Sequence, residues 1–598
     1  MDIFSITNFA QLFEHITENY GTRNALHWKE GSEYKSITGK KLKELVFITA
    51  NALIDLGSKA GDKAAIISES RYEWVIADFA CIVNGLITVP IYTTMTSSQI
   101  KYILEHSEAK ACFVSNQYLA EKVKEILNDL PELCSIITFN KIEDESEKIK
   151  DFQELIYQTI LQSKEGYNEE EADRFFKECS SKINENKVLT IIYTSGTTGI
   201  PKGVCLSHKN ILSDIHGCQK AFELNTSDRF LSYLPLAHSY ERATGYYFGI
   251  YTGAEIYYAQ NIDTLPAQFV EVKPTIFTSV PFLFTRLHTR LMKSFEALPA
   301  RKRAIVNTAF RIARRYRNNK NHFLWKLADR MVFKEIRART GGRARYIISG
   351  GSALNQEVAE ILDSIGITIY EGYGLTETSP VISVNRVGRN KFGTVGIPLD
   401  GVEVKIAADG EILVRGNTVM LGYYKNEEAT KEVIVDGWFH SGDIGSIDED
   451  GFLKITDRKK SLIKTEGGEY ISLTHIEDTL CTSKYIEQAI AFASDEKQFV
   501  TALIVPCFGE IEHYADSHDI SFEDDIDLIQ KHEIIKLIDT EIKKVQKDQA
   551  KFEQVRKYTI MPKSFTIENG ELTPTLKIKR KVVEEKYKDV IDKMYKVR

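Results

Sequence analysis

A chain of 598 residues is too long for one hydrophobic core and predicts roughly two to four domains. Its 43% hydrophobic and 27% charged residues are those of a soluble globular protein, and a net charge of −7 argues against a nucleic-acid partner, whose binding domains are usually basic. The eight cysteines lack any C-x-x-C pair, which points away from a disulfide framework or zinc site and toward reduced thiols in a cytoplasmic protein.

The first residues, Met1-Asp2-Ile3-Phe4, place no basic stretch before an apolar one, so no signal peptide is expected. Apolar runs at 63–67, 111–114, 134–138, 190–193, 255–258, 275–278 and 346–349 predict strands. Longer helical patterns lie between them, which predicts βαβ units and mostly parallel sheet. The long apolar stretch from Trp74 to Tyr92 is interrupted by Asp78, Asn84 and Pro90. A membrane span needs about 20 mostly apolar residues, so a buried helix followed by a strand is expected there. Residues 140–187 are acidic and weakly patterned and predict a surface excursion.

The segment Tyr193-Thr-Ser-Gly-Thr-Thr-Gly-Ile-Pro-Lys-Gly203 follows an apolar strand. Glycines let the backbone approach an anion, hydroxyls and N–H groups donate to phosphate oxygens, and Lys202 adds a mobile positive charge. The loop has the length of a P-loop, but Pro201 replaces its second glycine and Gly203 replaces the Ser/Thr that would hold magnesium. This predicts a nucleoside-triphosphate site that does not transfer the γ-phosphate.

Residues 301–317 hold seven Lys/Arg and no acid among apolar residues, predicting a basic amphipathic helix. It reads either as the solvated face of a packed helix or as peripheral attachment to an anionic membrane surface. A second Gly-bearing loop, Tyr370-Glu-Gly-Tyr-Gly-Leu-Thr-Glu-Thr378, follows another apolar run. In it Tyr373 could stack on a purine, Thr376 donate to a phosphate, and Glu377 bind Mg²⁺ alongside phosphate oxygens. Short runs from about 393 to 457 predict an antiparallel β region. It includes Trp438-Phe-His-Ser-Gly-Asp443 and Asp457-Arg458; an Asp at a strand end is the residue type that accepts from ribose hydroxyls. A mixed segment then ends in a lysine-rich helix from about Lys581, preceded by Gly570-Glu-Leu-Thr-Pro-Thr-Leu-Lys577.

These four segments, in this order and over nearly the whole chain, resemble the AMP-forming acyl-adenylate synthetases: acyl-CoA synthetases, luciferases and peptide-synthetase adenylation domains. Leu234-Pro-Leu-Ala-His-Ser-Tyr-Glu-Arg242, the Lys/Arg-rich stretch near 301–340 and Gly468-Glu-Tyr-Ile471 are similar to the long-chain fatty acyl-CoA synthetase branch. The resemblance implies a two-step ligation: a fatty acid carboxylate attacks the α-phosphate of Mg·ATP, and coenzyme A then takes the acyl group from acyl-AMP.

By position, the resemblance implies that Thr194, Ser195, Gly196, Thr197, Thr198 and Gly199 cradle the departing pyrophosphate with Lys202 nearby. Glu377 and Thr197 would be the Mg²⁺ contacts and Thr376 the α-phosphate contact. Gly350, Gly351, Ser352, Glu371, Gly372, Tyr373 and Gly374 would frame the adenine, and Asp443 and Arg458 bind the ribose. Lys577 would neutralise charge during adenylation. A swing about Asp457 would then exchange it for the 464–468 loop, with Lys464 and the pantetheine-passing Gly467 and Gly468. His238 would touch the acyl carboxylate or gate its pocket, while His208 is read as a cap of the next helix. Leu576 stands where Gly is usual, and Leu473 where proline is common.

The fold implied is α/β: a large N-terminal domain of layered βαβ subdomains plus a small β subdomain, 1–457, and a mobile C-terminal α+β lid domain, 458–598. The protein is expected to act as a monomer or homodimer, in the cytoplasm or at the inner membrane face. The alternatives are a fatty acyl-AMP ligase loading a carrier protein, a synthetase for a shorter or different acid, and a nucleotide-binding pseudoenzyme.

Overall fold

The computed structural model describes residues 3–142, 148–162, 167–195, 200–459, 462–464, 470–493, 499–547, 549–566, 569–572 and 578–596. The chain divides into two compact units. One comprises Met1–Lys405, Leu413–Ser441 and Ile447–Lys454; the other comprises Ile406–Ile412, Gly442–Ser446 and Ile455–Arg598.

The first unit holds two large sheets. An eight-stranded sheet runs Gly422–Tyr423, Pro201–Ser207, Val188–Ser195, Ile87–Ile91, Lys63–Ile67, Ala109–Val114, Ser135–Thr138, Ile149–Asp151 in spatial order. Its centre is parallel and almost wholly apolar, as strands covered on both faces must be. A nine-stranded sheet runs Ile397–Pro398, Val381–Val384, Ile369–Gly374, Tyr346–Ser349, Ile276–Ser279, Arg229–Ser232, Glu255–Tyr258, Asn24–Glu30, Glu33–Thr38. The mixed α/β class expected from the sequence is the class found.

Between the sheets lies a π-helical turn, Glu241–Tyr247, every residue of it buried. Glu241 reaches the nine-stranded sheet, where the Ser232 and Thr278 hydroxyls donate to its carboxylate. Arg242 points the other way. It donates to Asp78 at 2.5 Å and to Thr88 and Thr190 of the eight-stranded sheet at 2.6 and 2.7 Å. The hydroxyls of Tyr246 and Tyr247 complete the shell around Asp78.

The stretch from Trp74 to Tyr92 forms the buried helix Tyr72–Val83 and the strand Ile87–Ile91, as the interrupted apolar pattern requires. The 140–187 region departs from expectation. Beyond the edge strand Ile149–Asp151 it forms the helices Phe152–Gln162 and Glu169–Lys182. Asn168 caps the second, and three glutamates in its first turn complement the helix dipole. Ala172, Phe176 and Ser180, spaced four apart, are buried against the N-terminal helix Phe9–Tyr20, with the Phe13 and Phe176 rings 5.3 Å apart. The acidic composition hid this narrow buried stripe.

Residues 301–317 fall on the helix Ala300–Arg315, whose Val306, Ala309 and Ala313 are buried. Strands follow at Val402–Ile406, Glu411–Gly416, Ile434–Val435, Trp438–Ile447 and Leu453–Arg458, along which the chain passes more than once between the units. In the second unit, Ile486–Phe492 pairs antiparallel with Val500–Pro506, which pairs parallel with Val555–Ile560. The helices Leu473–Leu480, Phe508–Ser517 and His532–Val545 cover this sheet through Ile476, Ile511, Ile534 and Ile538. Among the described residues no helix is long and apolar enough to cross a membrane.

Candidate active site

Two loops converge at the carboxyl ends of neighbouring parallel strands, where open α/β sheets place their ligands. The first leaves Tyr346–Ser349 through Gly350 and Gly351. A Cβ on Gly350 would lie 3.0 Å from the Tyr240 ring, and Gly351 adopts a φ of +86°. The second leaves Ile369–Gly374 for the short 3₁₀ turn Thr376–Thr378. Gly374 is sterically required, because a Cβ there would sit 1.8 Å from the Pro380 carbonyl oxygen.

A narrow cavity of about 70 Å³ opens between these loops. Gly350, Gly351, Gly372, Tyr373 and Thr376 line it together with the apolar Phe222, Phe248, Ile276 and Ile348. His238 also lines it. Its Nδ1 accepts from the Tyr240 N–H at 3.1 Å, which fixes the ring. The hydroxyls of Ser239 and Thr376 lie 3.0 Å apart.

Not every expected framing residue faces this space. Ser352 is exposed beyond the turn, because the chain there is already leaving for the helix Gln356–Ser364. The Glu371 carboxylate accepts from the Leu354 N–H at 3.0 Å, fastening the two loops together, and burial pushes its carboxyl up to about 7. Burial likewise pushes the Glu241 carboxyl, behind the cavity wall, up to about 7.

Thr194 and Lys202 face each other near the tip of the antiparallel hairpin Val188–Ser195/Pro201–Ser207, and the backbone of Ser195 pairs with Pro201. Gly196, Thr197, Thr198 and Gly199, between them, lie outside the described residues. The structure gives Gly203 a packing reason: a Cβ would come within 2.8 Å of Ile191 and 3.2 Å of the Tyr193 ring.

A residue that sequence reasoning passed over joins this hairpin to the second loop. The edge strand Gly422–Tyr423 pairs with Cys205 and Val204, and the Tyr424 N–H donates to the Gly203 carbonyl at 2.7 Å. Tyr423 thereby lies under Lys202, whose ammonium is 4.9 Å from the ring centroid, and its hydroxyl donates to Glu377 Oε1 at 2.9 Å. The Met420 N–H holds the Glu377 carbonyl at 2.8 Å. The Leu-Gly-Tyr-Tyr run at 421–424 was the only available signal, and it reads as an ordinary turn.

His208 is not a helix cap. Ser207 caps His208–Phe222, while His208 is buried and accepts from the Phe9 N–H at 3.2 Å, with burial pushing its imidazole down to about 3. In the second unit, Asp443 sits within the long strand Trp438–Ile447 and not at its end, where the left-handed Gly442 (φ +72°) bends the chain. Asp443 is buried and pairs with Arg458 Nε at 3.1 Å, while the arginine stays half-exposed. The backbone of Lys464 pairs with Tyr470 in a two-stranded ladder. Gly467, Gly468 and Lys577 lie outside the described residues.

The family model for AMP-binding enzymes matches residues 13–424, and that for the AMP-binding enzyme C-terminal domain matches 460–598. The chain is 35% identical over 557 residues to the long-chain-fatty-acid–CoA ligase FadD15 of Mycobacterium tuberculosis, covering 91% of this chain and 90% of that one. It is 32% identical over 626 residues to long chain acyl-CoA synthetase 1 of Arabidopsis thaliana, covering 99% and 93%. Among solved structures it resembles the anthranilate CoA ligase AuaEII in complex with anthranoyl-AMP. The TM-score there is 0.71 at 19% identity, with 98% of both chains covered. The adenylation domain of a carboxylate reductase from Mycobacterium chelonae gives a TM-score of 0.74 at 20% identity, covering 98% and 91%.

Proposed function

The chain belongs to the AMP-binding enzyme family, and we propose that within it the protein is a long-chain fatty acid–CoA ligase. The fatty acid carboxylate attacks the α-phosphorus of ATP; the new O–P bond forms as the bond to pyrophosphate breaks, leaving acyl-AMP. The thiol of coenzyme A then attacks the acyl carbon, a C–S bond replaces the C–O bond to AMP, and the thiol proton is released. The observation that best supports this reading is a largely apolar cavity whose lining includes Gly350, Tyr373 and Thr376, which suits an acyl group whose carboxylate meets a nucleotide.

Thr376, held beside Ser239, is proposed to contact the α-phosphate, and the 194–199 loop with Lys202 the leaving pyrophosphate. Glu377 fits a magnesium ion carried in by the nucleotide. Among the described residues no group of three or more His, Cys, Asp or Glu could cage a metal, and magnesium usually takes one or two carboxylates plus phosphate oxygens. Bound there, the ion supplies charge neutralisation at the phosphates. Asp443, with Arg458 braced against it, offers a carboxylate for ribose hydroxyls. Lys577 is proposed as the adenylation lysine, and Lys464, Gly467 and Gly468 as the thioester-step loop, with 458–598 as a lid turning about Asp457. The reaction is assigned to the cytoplasm, to a monomer or homodimer, and, because long-chain acids partition into lipid, to peripheral contact with a membrane.

The test is an acyl-chain panel from acetate to oleate, scored by pyrophosphate release with and without coenzyme A. Turnover rising with chain length and requiring coenzyme A is expected. Preference for acetate, or acyl transfer only to a carrier protein, would replace this reading.

A further inference from the structure

Residues 281–345 hold eighteen Lys and Arg against three Asp and Glu, in a chain of net charge −7. The sequence left 301–317 open between the solvated face of a packed helix and attachment to a membrane surface. The structure assigns that helix otherwise: its apolar side, Val306, Ala309 and Ala313, is already buried in the protein core. The unpartnered apolar face lies on the next helix. Phe323–Ala328, a π turn at Asp329–Phe333 and Lys334–Ala338 form one continuous helical run.

One side of this run is anchored. Trp325, Ala328, Val332, Phe333 and Ile336 are buried in a core shared with Phe277 and Ile347, on the two strands whose Ile276 and Ile348 line the cavity. The other side is a stripe of Phe323, Leu327 and Met331, respectively 70%, 52% and 56% exposed, spaced four apart. Lys326, Arg330 and Lys334, also exposed, run beside it at the same spacing. The neighbouring cations Arg317, Lys320 and Arg337 are engaged with Glu360, Asp363 and Asp329, whereas Lys326, Arg330 and Lys334 form no ion pair among the described residues.

We propose that this stripe seats the protein on an anionic lipid surface, with Phe323, Leu327 and Met331 entering the headgroup–acyl boundary and Lys326, Arg330 and Lys334 meeting lipid phosphates. A helix that is apolar on one exposed edge and cationic beside it lies in a bilayer interface. A second copy of this chain is disfavoured as occupant, because a self-complementary contact would set cation against cation. Lipid is chosen over an acidic protein on the strength of the long-chain acid proposed as substrate, and the placement deepens that reading by delivering the acid beside the cavity wall.

The test is co-sedimentation of the full chain with vesicles of phosphatidylcholine alone, or of equal parts phosphatidylcholine and phosphatidylglycerol. Binding to the anionic vesicles, weakened by salt, is expected. Lys326→Gln/Arg330→Gln/Lys334→Gln should lower the partition coefficient about a hundredfold, and Phe323→Ser/Leu327→Ser/Met331→Ser at least about tenfold. Arg301→Gln/Lys302→Gln/Arg303→Gln, on the preceding helix, should fall by less than either. Unchanged thermal unfolding and unchanged turnover of a water-soluble medium-chain acid would show that the fold and the ligase activity survive. No binding by the wild type, equal binding to both vesicles, or stripe variants that bind like wild type would each overturn the proposal. So would a self-associated state that dissociates in the stripe variants. None of these outcomes depends on whether the acyl panel confirms the substrate.

Discussion

Arg242→Met should destabilise the first unit by about 4 kcal/mol at neutral pH, and the structure supplies the reason. Arg242 and Asp78 are 1% and 0% exposed, paired at 2.5 Å between the two sheets. Without the guanidinium, Asp78 keeps only neutral partners, the hydroxyls of Tyr246, Tyr247 and Thr88. A lone carboxylate at full burial escapes most cheaply by taking a proton. Protonating at pH 7 a group whose unfolded pKa is about 3.9 costs about 1.4 × 3.1, or ~4 kcal/mol. That agrees with the ~3–5 kcal/mol usual for removing one partner of a buried pair.

The same arithmetic gives a pH signature. The variant's folded state holds a proton that its unfolded state lacks, so its deficit should shrink by about 1.4 kcal/mol for each pH unit lowered, to ~1.5 kcal/mol at pH 5. Arg242→Met/Asp78→Leu removes the stranded charge and should recover most of the loss. Urea unfolding followed by tryptophan fluorescence reads this unit alone, because Trp28, Trp74, Trp325 and Trp438 all belong to it. Trp74 lies 5.0 Å from the guanidinium. A single variant within about 1 kcal/mol of wild type at pH 7, a deficit independent of pH, or a double variant as damaged as the single would refute the argument.

Tyr423→Phe keeps the ring under Lys202 but removes the hydroxyl from Glu377; a hydrogen bond to a charged group is worth ~1.5–3 kcal/mol, so kcat/KM for Mg·ATP should fall about 10- to 100-fold. Magnesium-dependent ATP affinity by calorimetry should weaken in parallel, while thioester formation from supplied acyl-AMP stays near wild type; loss in that half-reaction alone would contradict the placement. Glu241, raised from 4.5 to about 7, takes up a proton on folding. Its stabilisation is therefore complete below about 4.5 and lost as pH rises through 7, a drop of order 3 kcal/mol that Glu241→Gln should abolish. Parallel stability–pH curves for wild type and variant would show the carboxyl to be ionised throughout. Lys577→Ala should cut adenylation by about 10²–10³ with the second half-reaction preserved, and equal losses in both would end the lid assignment.

The parallel strands were legible because strands buried on both faces must be apolar along their length, and the turn after Ile369–Gly374 because its glycine marks a close backbone approach. The helix at 169–182 escaped because a three-residue buried stripe settles its packing and charge swamps it. Tyr423 escaped for a different reason. Its role comes from strand pairing between positions more than two hundred residues apart, and a tyrosine after a glycine carries no local mark of that.

Glu241 and Arg242 show how far local reading can mislead. On a regular surface helix, adjacent Glu and Arg would be a solvated pair. The turn they occupy is instead wedged between two sheets, so neighbouring side chains leave it in opposite directions: Glu241 to Ser232 and Thr278, Arg242 to Asp78, Thr88 and Thr190. Each sheet thus acquires one buried charged or titratable anchor from a single turn. The two contacts act on different parts of the site. Thr278 lines the cavity, whereas Thr190 lies on the strand that runs directly into the 194–199 loop proposed for pyrophosphate. A substitution in this dipeptide should therefore separate acyl-chain selectivity from ATP use: Glu241→Gln should move the first, and Arg242→Met the second.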